Sequence, residues 1–148
     1  MNKYLIWTIM AGTILTSVSA DAFETKAKYA LLMDADTGYV MLDKKADIPM
    51  PPASMSKLMT AYVIFEQLMS GKLTPETEFT VSENAWRKGG AKSGSSTMFL
   101  KPNQKVRVKD LLRGIIVQSG NDACIVAAEN IAGTEEVFAD IMTRKAHD

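Results

Sequence analysis

The 148-residue sequence contains one cysteine, Cys124, and its charges cancel, with 17 Lys and Arg residues against 17 Asp and Glu residues. One cysteine excludes an intramolecular disulfide, so the fold has to be stabilised by packing. Without an excess of positive charge the chain lacks the electrostatic signature of nucleic-acid-binding proteins, and nucleic acid is not expected as a partner. The length and the 47% hydrophobic content predict a single domain with one core.

Cys124 itself has two interpretations. A catalytic thiol needs a lowered pKa, whereas a free cysteine is often a small buried residue of a core. Residues 121–126 predict the start of a buried helix. We therefore favour a core position for Cys124 over a role as nucleophile.

The sequence also lacks an apolar run long enough to cross a bilayer. Residues 4–16 fall short of the roughly 20 residues that a spanning helix needs. They follow a short positive region and precede small residues, with Val18-Ser19-Ala20 or Ala20-Asp21-Ala22 as the cleavage site, an order typical of secretory signal peptides. We expect residues 1–22 to be a signal peptide and residues 23–148 to be exported to a periplasmic or other extracytoplasmic space, with a membrane anchor as the alternative.

The first half of the exported chain predicts a hairpin and a long helix. Two apolar runs, 29–34 and 39–43, flank Asp and Gly residues that favour a turn. After a proline-rich segment, a helix is predicted from about residue 54 to residue 70, ending at Gly71. Because apolar residues cover most of its circumference, we expect this helix to be central.

Glycines and serines then predict a loop between residues 86 and 98, followed by a brief extended segment at 106–108. Apolar periodicity predicts three further helices, at 109–118, at 122–132 and after Thr134.

Ser54 and Lys57 form an S-x-x-K tetrad at the start of the long helix. Residues three apart share one helical face, so the two side chains can touch. A serine hydroxyl becomes nucleophilic when a base accepts its proton, and a buried lysine near a second cation can be such a base. The tetrad also arises by chance, with Lys57 as a solvated residue, but an apolar helix is a costly place for a lysine.

The second motif is Ser119-Gly120-Asn121, in a turn between two apolar helices. Helix capping is one explanation for a serine or an asparagine at such a junction. Capping does not explain the pairing with an upstream S-x-x-K tetrad, and the two motifs together are much more specific than either alone.

This combination resembles the serine D-Ala-D-Ala carboxypeptidases, the low-molecular-mass penicillin-binding proteins, which carry S-x-x-K, S-x-N and a later K-T-G motif. The resemblance covers nearly all of residues 23–148. It is carried by five segments: 36–38, 52–60, 82–86, 98–100 and 111–123.

The resemblance implies an α/β fold of the α+β type, the β-lactamase/transpeptidase-like fold with helices packed on an antiparallel sheet. It implies that Ser54 attacks the carbonyl between two D-alanines, that Lys57 accepts its proton and that Ser119 helps return a proton to the leaving amine. Asn121 would position the acyl chain, and the backbone N–H of Ser54 would be an oxyanion donor. No metal or other cofactor is implied, and the expected partners are peptidoglycan stem peptides, with β-lactams as acylating inhibitors.

The family pattern is incomplete here, because no Lys-Thr-Gly occurs in the sequence. In the family this triad lies on a downstream strand, binds the substrate carboxylate and supplies a second oxyanion donor. We expect the chain to be an N-terminal part that lacks the C-terminal strands and is inactive alone. Any membrane anchor would lie beyond Asp148.

Three alternatives remain open. A β-lactamase shares the tetrad but resembles the residues around Ser119 less closely, and a peptidoglycan endopeptidase also fits. A binding-only penicillin-binding protein would hold its ligand without turnover. The lifetime of a penicillin adduct would distinguish a β-lactamase from a carboxypeptidase. Turnover of a peptide would distinguish an enzyme from the binding-only protein.

Overall fold

A computed structural model describes residues 23–147 of the chain. The expected signal peptide, residues 1–22, lies outside the described residues. The described chain divides into two compact units, one ending at Met50 and one beginning at Pro51. Among the helices of residues 23–147, none has the length and apolar content to cross a membrane.

The first unit contains a β-hairpin, as predicted. Strand β1 (Ala30–Met33) pairs antiparallel with strand β2 (Val40–Lys44). Asp34 begins the turn, where its Oδ1 accepts the backbone N–H of Thr37 at 2.7 Å. The Thr37 hydroxyl, which also donates to this carboxyl, and the backbone contact hold the pKa of Asp34 below its ordinary value. Gly38 has φ +72°, a conformation that glycine adopts without steric cost.

The second unit contains five helices and a small antiparallel pair of strands. Its strands are β3 (Glu78–Thr80) and β4 (Lys105–Arg107), and 3₁₀ turns occupy Ala53–Ser56 and Ala91–Ser93. The helices are α1 (Lys57–Met69), α2 (Glu83–Gly89), α3 (Val108–Gln118), α4 (Asn121–Ala132) and α5 (Glu135–His147).

Helix α4 is the centre of the second unit. It contacts each of the other four helices and strand β3. Its buried positions include three alanines, Ala123, Ala127 and Ala128, whose small side chains let neighbouring elements approach closely. The main core contains Val126 of α4 and large apolar side chains of its neighbours: Ile64, Phe79, Val81, Leu100, Val106, Val108, Leu111 and Ile115. A second, smaller cluster joins Ala128 of α4 to Val63 and Phe138.

Among the described residues, α1 contacts fewer helices than α4 does. Helix α1 buries one face, including Val63 and Ile64, against α3, α4 and α5. A second row of apolar side chains, which we call the α1 stripe, is exposed to solvent within the described chain. At helical spacing it comprises Leu58, Tyr62, Phe65 and Met69, of which Met69 is 89% exposed.

The predicted loop at 86–98 is wrong at its start, because α2 extends to Gly89. The Oγ of Ser82 caps this helix by accepting the backbone N–H of Ala85 at 2.9 Å. Gly89, one of the glycines that suggested a loop, is required by close packing instead: a Cβ there would lie 2.4 Å from the backbone nitrogen of Asp122. Strand β3 was also absent from the prediction, whereas the extended segment at 106–108 overlaps β4.

Candidate active site

Ser54 and Lys57 lie where the chain enters α1. The 3₁₀ turn at Ala53–Ser56 carries Ser54 on an exposed position, and Lys57 is the first residue of the helix. The Nζ of Lys57 donates a hydrogen bond to the Oγ of Ser54 at 3.2 Å. The contact that the S-x-x-K spacing predicts is therefore present.

The residue before Ser54 has an unusual backbone. Ala53 has φ +49°, in the left-handed region that L-residues with a Cβ rarely adopt. Residues held in such regions cost on the order of 1–3 kcal/mol and concentrate at functional sites. Pro52, with its fixed ring, precedes this strained residue and restricts the path of the chain into the turn.

Ser119 lies at the C-terminal end of α3 and contacts the same lysine. It ends that helix in the left-handed conformation, with φ 55° and ψ 37°. The Nζ of Lys57 donates a hydrogen bond to the Oγ of Ser119 at 3.0 Å, although 62 positions separate the two residues. The Nζ of Lys57 thus contacts both serine hydroxyls. The three residues proposed as catalytic form one cluster.

Asn121 is placed beside this cluster and not within it. It begins α4, and its backbone N–H donates to the carbonyl oxygen of Ser96 at 2.8 Å. Asn121 and Lys57 line one cavity of about 420 Å³. Ser54, Ser119 and Lys57 line another, of about 170 Å³. Lys57 therefore borders both cavities, whereas Asn121 borders the larger of the two and not the one that the serines line.

Cys124 lines the larger cavity together with Lys57 and Asn121. Burial raises the pKa of its thiol to about 11, although the charge of Lys57 and a hydrogen bond from Thr60 act in the opposite direction. A nucleophilic cysteine requires a lowered pKa. The structure thus favours the core interpretation of this residue.

Sequence reasoning missed Asp122. Its carboxylate is completely buried and hydrogen-bonds the residues around Met98, on a segment before β4. A charged residue among the apolar positions of a predicted buried helix was the available signal, because such a carboxylate has to be fully paired.

Residues 23–147 contain no group of three or more His, Cys, Asp or Glu side chains that could hold a metal ion. The chemistry that the described site offers is that of hydroxyl and amine groups. The residues of the S-x-x-K and S-G-N motifs, whose pairing resembles that of the penicillin-binding proteins, thus meet at one lysine in a fold of helices and antiparallel strands.

The comparison with protein families agrees. A protein-family model described as D-alanyl-D-alanine carboxypeptidase matches residues 15–148 of the sequence. The chain belongs to this family of peptidases.

Curated relatives include D-alanyl-D-alanine carboxypeptidase DacC of Escherichia coli, 42% identical over 125 residues. That alignment covers 84% of this chain and 31% of the relative. DacF of Bacillus subtilis is 36% identical over 157 residues, covering 99% of this chain and 39% of the relative. The chain therefore spans between three and four tenths of the length of these two relatives.

Solved structures give the same result for the fold. Penicillin binding protein 5 from Haemophilus influenzae matches with a TM-score of 0.73 and 37% identity, over 84% of this chain and 36% of that one. The D-alanyl-D-alanine carboxypeptidase DacD from Francisella tularensis matches with a TM-score of 0.71 and 38% identity, over 85% and 29%. The α+β transpeptidase-like fold that the sequence predicted is confirmed.

Proposed function

We propose that residues 23–148 are the N-terminal part of the catalytic domain of a serine-type D-Ala-D-Ala carboxypeptidase. Such an enzyme removes the terminal D-alanine from peptidoglycan stem peptides through an acyl-enzyme, and penicillin inhibits it by acylating the same serine. The observation that carries the proposal is the position of Lys57, whose Nζ lies within hydrogen-bond distance of Ser54 and Ser119.

In this mechanism Ser54 is the nucleophile and neutral Lys57 is its base. The Oγ of Ser54 attacks the carbonyl carbon between the two D-alanines as its proton passes to the Nζ of Lys57. The 3.2 Å contact between these atoms is within the range for such a transfer. The tetrahedral intermediate then expels the amine of the terminal D-alanine, and the ester that remains on Ser54 is hydrolysed by water.

Ser119 has the position of a proton relay in this scheme. The leaving amine needs a proton, and the proton that Lys57 accepted can reach it through the Ser119 hydroxyl, which lies 3.0 Å from Nζ. Such a relay lets one amine act as base for the attack and as acid for the departure. Asn121 would orient the acyl part of the substrate from the neighbouring cavity.

The proposal includes the compartment in which the substrate occurs. Peptidoglycan lies outside the cytosol, and the order of residues 1–22 is typical of a secretory signal peptide. Export followed by cleavage would deliver residues 23–148 to the stem peptides. In this proposal the remaining partners are β-lactams, whose strained acyl group reacts with the same hydroxyl.

Covalent labelling by a fluorescent penicillin, in a chain completed with the missing C-terminal part, tests the nucleophile. Ser54→Ala should abolish labelling because no other hydroxyl takes the place of Ser54. The matched control is Ser56→Ala, two residues away on the same turn, whose Oγ donates to the carbonyl oxygen of Ala53 at 2.8 Å. Labelling that survives Ser54→Ala, or that is lost in Ser56→Ala as well, would refute the assignment.

Turnover is a separate question, because the sequence contains no Lys-Thr-Gly. In the proposed scheme that triad binds the substrate carboxylate and donates to the oxyanion, and one such donor is worth about 10²–10³ in rate. We therefore expect no measurable D-alanine release by this chain alone. Full-length DacC of Escherichia coli, assayed beside it, is the positive control. Comparable release by both proteins would show that the triad is dispensable.

A second candidate is a peptidoglycan endopeptidase. A protein named D-alanyl-D-alanine endopeptidase from Pseudomonas aeruginosa is 28% identical over 152 residues, covering 97% of this chain. The two activities differ in the peptide bond that is cut. A chain completed with a Lys-Thr-Gly strand should release D-alanine from a pentapeptide and leave cross-linked dimers intact, and the opposite result would favour the endopeptidase. The lifetime of the penicillin adduct would distinguish both enzymes from a β-lactamase, because a β-lactamase hydrolyses its adduct rapidly.

A further inference from the structure

A buried carboxylate directly follows the S-G-N motif and takes no part in the reaction proposed above. Asp122 is 0% exposed. Its Oδ1 accepts the backbone N–H groups of Met98 at 2.8 Å and of Ala123 at 2.9 Å. Its Oδ2 accepts the hydroxyl of Thr97 at 2.7 Å and the backbone N–H of Leu100 at 3.1 Å. Both oxygens are thus occupied by the protein itself, and the carboxylate has an architectural role.

Three of these donors belong to residues 96–100, which we call the clamp segment. The clamp segment makes a further contact with the S-G-N motif, because the carbonyl oxygen of Ser96 accepts the backbone N–H of Asn121 at 2.8 Å. The approach is close: a Cβ at Gly120 would lie 3.1 Å from Oδ1 of Asp122 and 3.2 Å from the backbone nitrogen of Met98. The clamp segment therefore fixes the path of the motif from one side.

The motif contains a strained residue that needs such support. Ser119 has φ 55°, and Phe99 in the clamp segment has φ 60°, both in the left-handed region. Left-handed residues with a Cβ persist where the surroundings over-determine them. The Asp122 carboxylate hydrogen-bonds residues on both sides of Phe99 and lies three positions after Ser119 in the chain.

We propose that Asp122 is a positioning residue for Ser119. Its carboxylate ties the clamp segment to the first turn of α4, and this connection holds Ser119 in the left-handed conformation that puts its Oγ 3.0 Å from the Nζ of Lys57. The consequence for catalysis rests on the proposed function, whereas the effect on the Ser119 conformation does not.

Replacement by asparagine tests this with almost no change of shape. An asparagine has one acceptor oxygen and an NH₂ group that only donates. Asp122→Asn therefore leaves the Thr97 hydroxyl and the Leu100 N–H, or the Met98 and Ala123 N–H groups, without an acceptor. The control is Asn130→Ala at the other end of α4, which removes three hydrogen bonds to Thr80 and Val126.

The first measurement is NMR of the 148-residue chain. We expect Asp122→Asn to move the Cα and Cβ chemical shifts of Ser119 away from left-handed values and to speed amide exchange of Leu100 about tenfold or more. Asn130→Ala should leave both unchanged. Ser119 shifts that stay unchanged in folded Asp122→Asn would overturn the proposal. If that variant does not fold, Thr97→Val removes the hydroxyl that donates to Asp122 and accepts the backbone N–H of Phe99 at 3.1 Å. It should move the same shifts less far, and unchanged Ser119 shifts in Thr97→Val would equally overturn the proposal.

The second measurement is the rate at which labelled penicillin acylates Ser54 in a chain completed with a Lys-Thr-Gly strand. Misplacement of a supporting group by about 1 Å can cost about 10²-fold, and we expect a loss of that order in Asp122→Asn. In a Ser119→Ala background the same substitution should add less than about threefold, since the group that it positions is gone. Equal losses in both backgrounds would show that Asp122 does not act through Ser119. A wild-type chain completed with a Lys-Thr-Gly strand that still takes no label would count against the proposed function, and the NMR result would then decide the role of Asp122.

Discussion

Gly89 of α2 packs on Asp122 of α4 so closely that a Cβ at Gly89 would lie 2.4 Å from the backbone nitrogen of Asp122. The neighbour is backbone and cannot move aside as a flexible side chain would. Overpacking of this kind costs about 1–3 kcal/mol. Gly89→Ala should therefore lower the free energy of unfolding by that amount, measured by urea denaturation. Gly71→Asn is the control, because Gly71 has φ +72° with nothing within 4 Å, and asparagine tolerates that conformation.

The proposed base gives a second prediction, on the acylation rate. Lys57→Ala should slow acylation of Ser54 by about 10²–10⁴-fold, the usual contribution of a positioned general base. Lys57→Arg should fail to restore the rate, because a guanidinium keeps its positive charge but does not release its proton in proteins. Stopped-flow labelling gives the rates and circular dichroism checks the fold. Full activity in Lys57→Arg would show that Lys57 acts through its charge and not as a base.

The thiol of Cys124 gives a prediction on pH. Burial raises its pKa from the ordinary value of 9.0 to about 11. Since only the thiolate reacts, alkylation of the folded chain by iodoacetamide should keep rising between pH 9 and pH 11. In urea the rate should level off near pH 9. By linkage, the protonated thiol stabilises the fold below pH 9, and this contribution is lost as the pH rises through 11. A folded-state midpoint near 9, determined by mass spectrometry, would contradict the burial of this group.

The prediction of export is tested by the mature N-terminus. Cleavage after Ala20 or Ala22 should leave a product that begins at Asp21 or Phe23, because small residues follow a short apolar stretch. Intact mass spectrometry of the protein from the periplasmic fraction decides between them. The control is Ala20→Lys combined with Ala22→Lys, which removes the small residues that cleavage needs. A cytosolic product that still carries Met1 would refute the prediction.

The sequence was sufficient where a local rule decides the structure. The contact between Ser54 and Lys57 follows from helical spacing, and the hairpin around Asp34 follows from turn chemistry. The ends of α1 and α4 follow from Gly71 and Gly133, both of which have positive φ. Each of these features involves residues close together in the chain. Local patterns are therefore enough to predict them.

Features that depend on distant contacts were missed. Nothing near Gly89 in the sequence shows that it packs on α4, so its glycine suggested a loop. Helix α4 contacts the other four helices of its unit and buries three small alanines, whereas the apolar circumference of α1 drew attention to α1 alone. Asp122 likewise finds three of its donors more than twenty positions earlier in the chain. Such relationships are set by tertiary packing, which local patterns do not contain.

The exposed α1 stripe should affect the solubility of this chain. Leu58, Tyr62, Phe65 and Met69 expose apolar surface along one side of a helix, and the net formal charge of +0 gives little electrostatic repulsion between molecules. Sulfate strengthens the burial of apolar surface, and water molecules are released when two such stripes meet. The solubility limit of the chain should therefore fall steeply as sulfate is added, and a charged residue at position 62 or 69 should raise it.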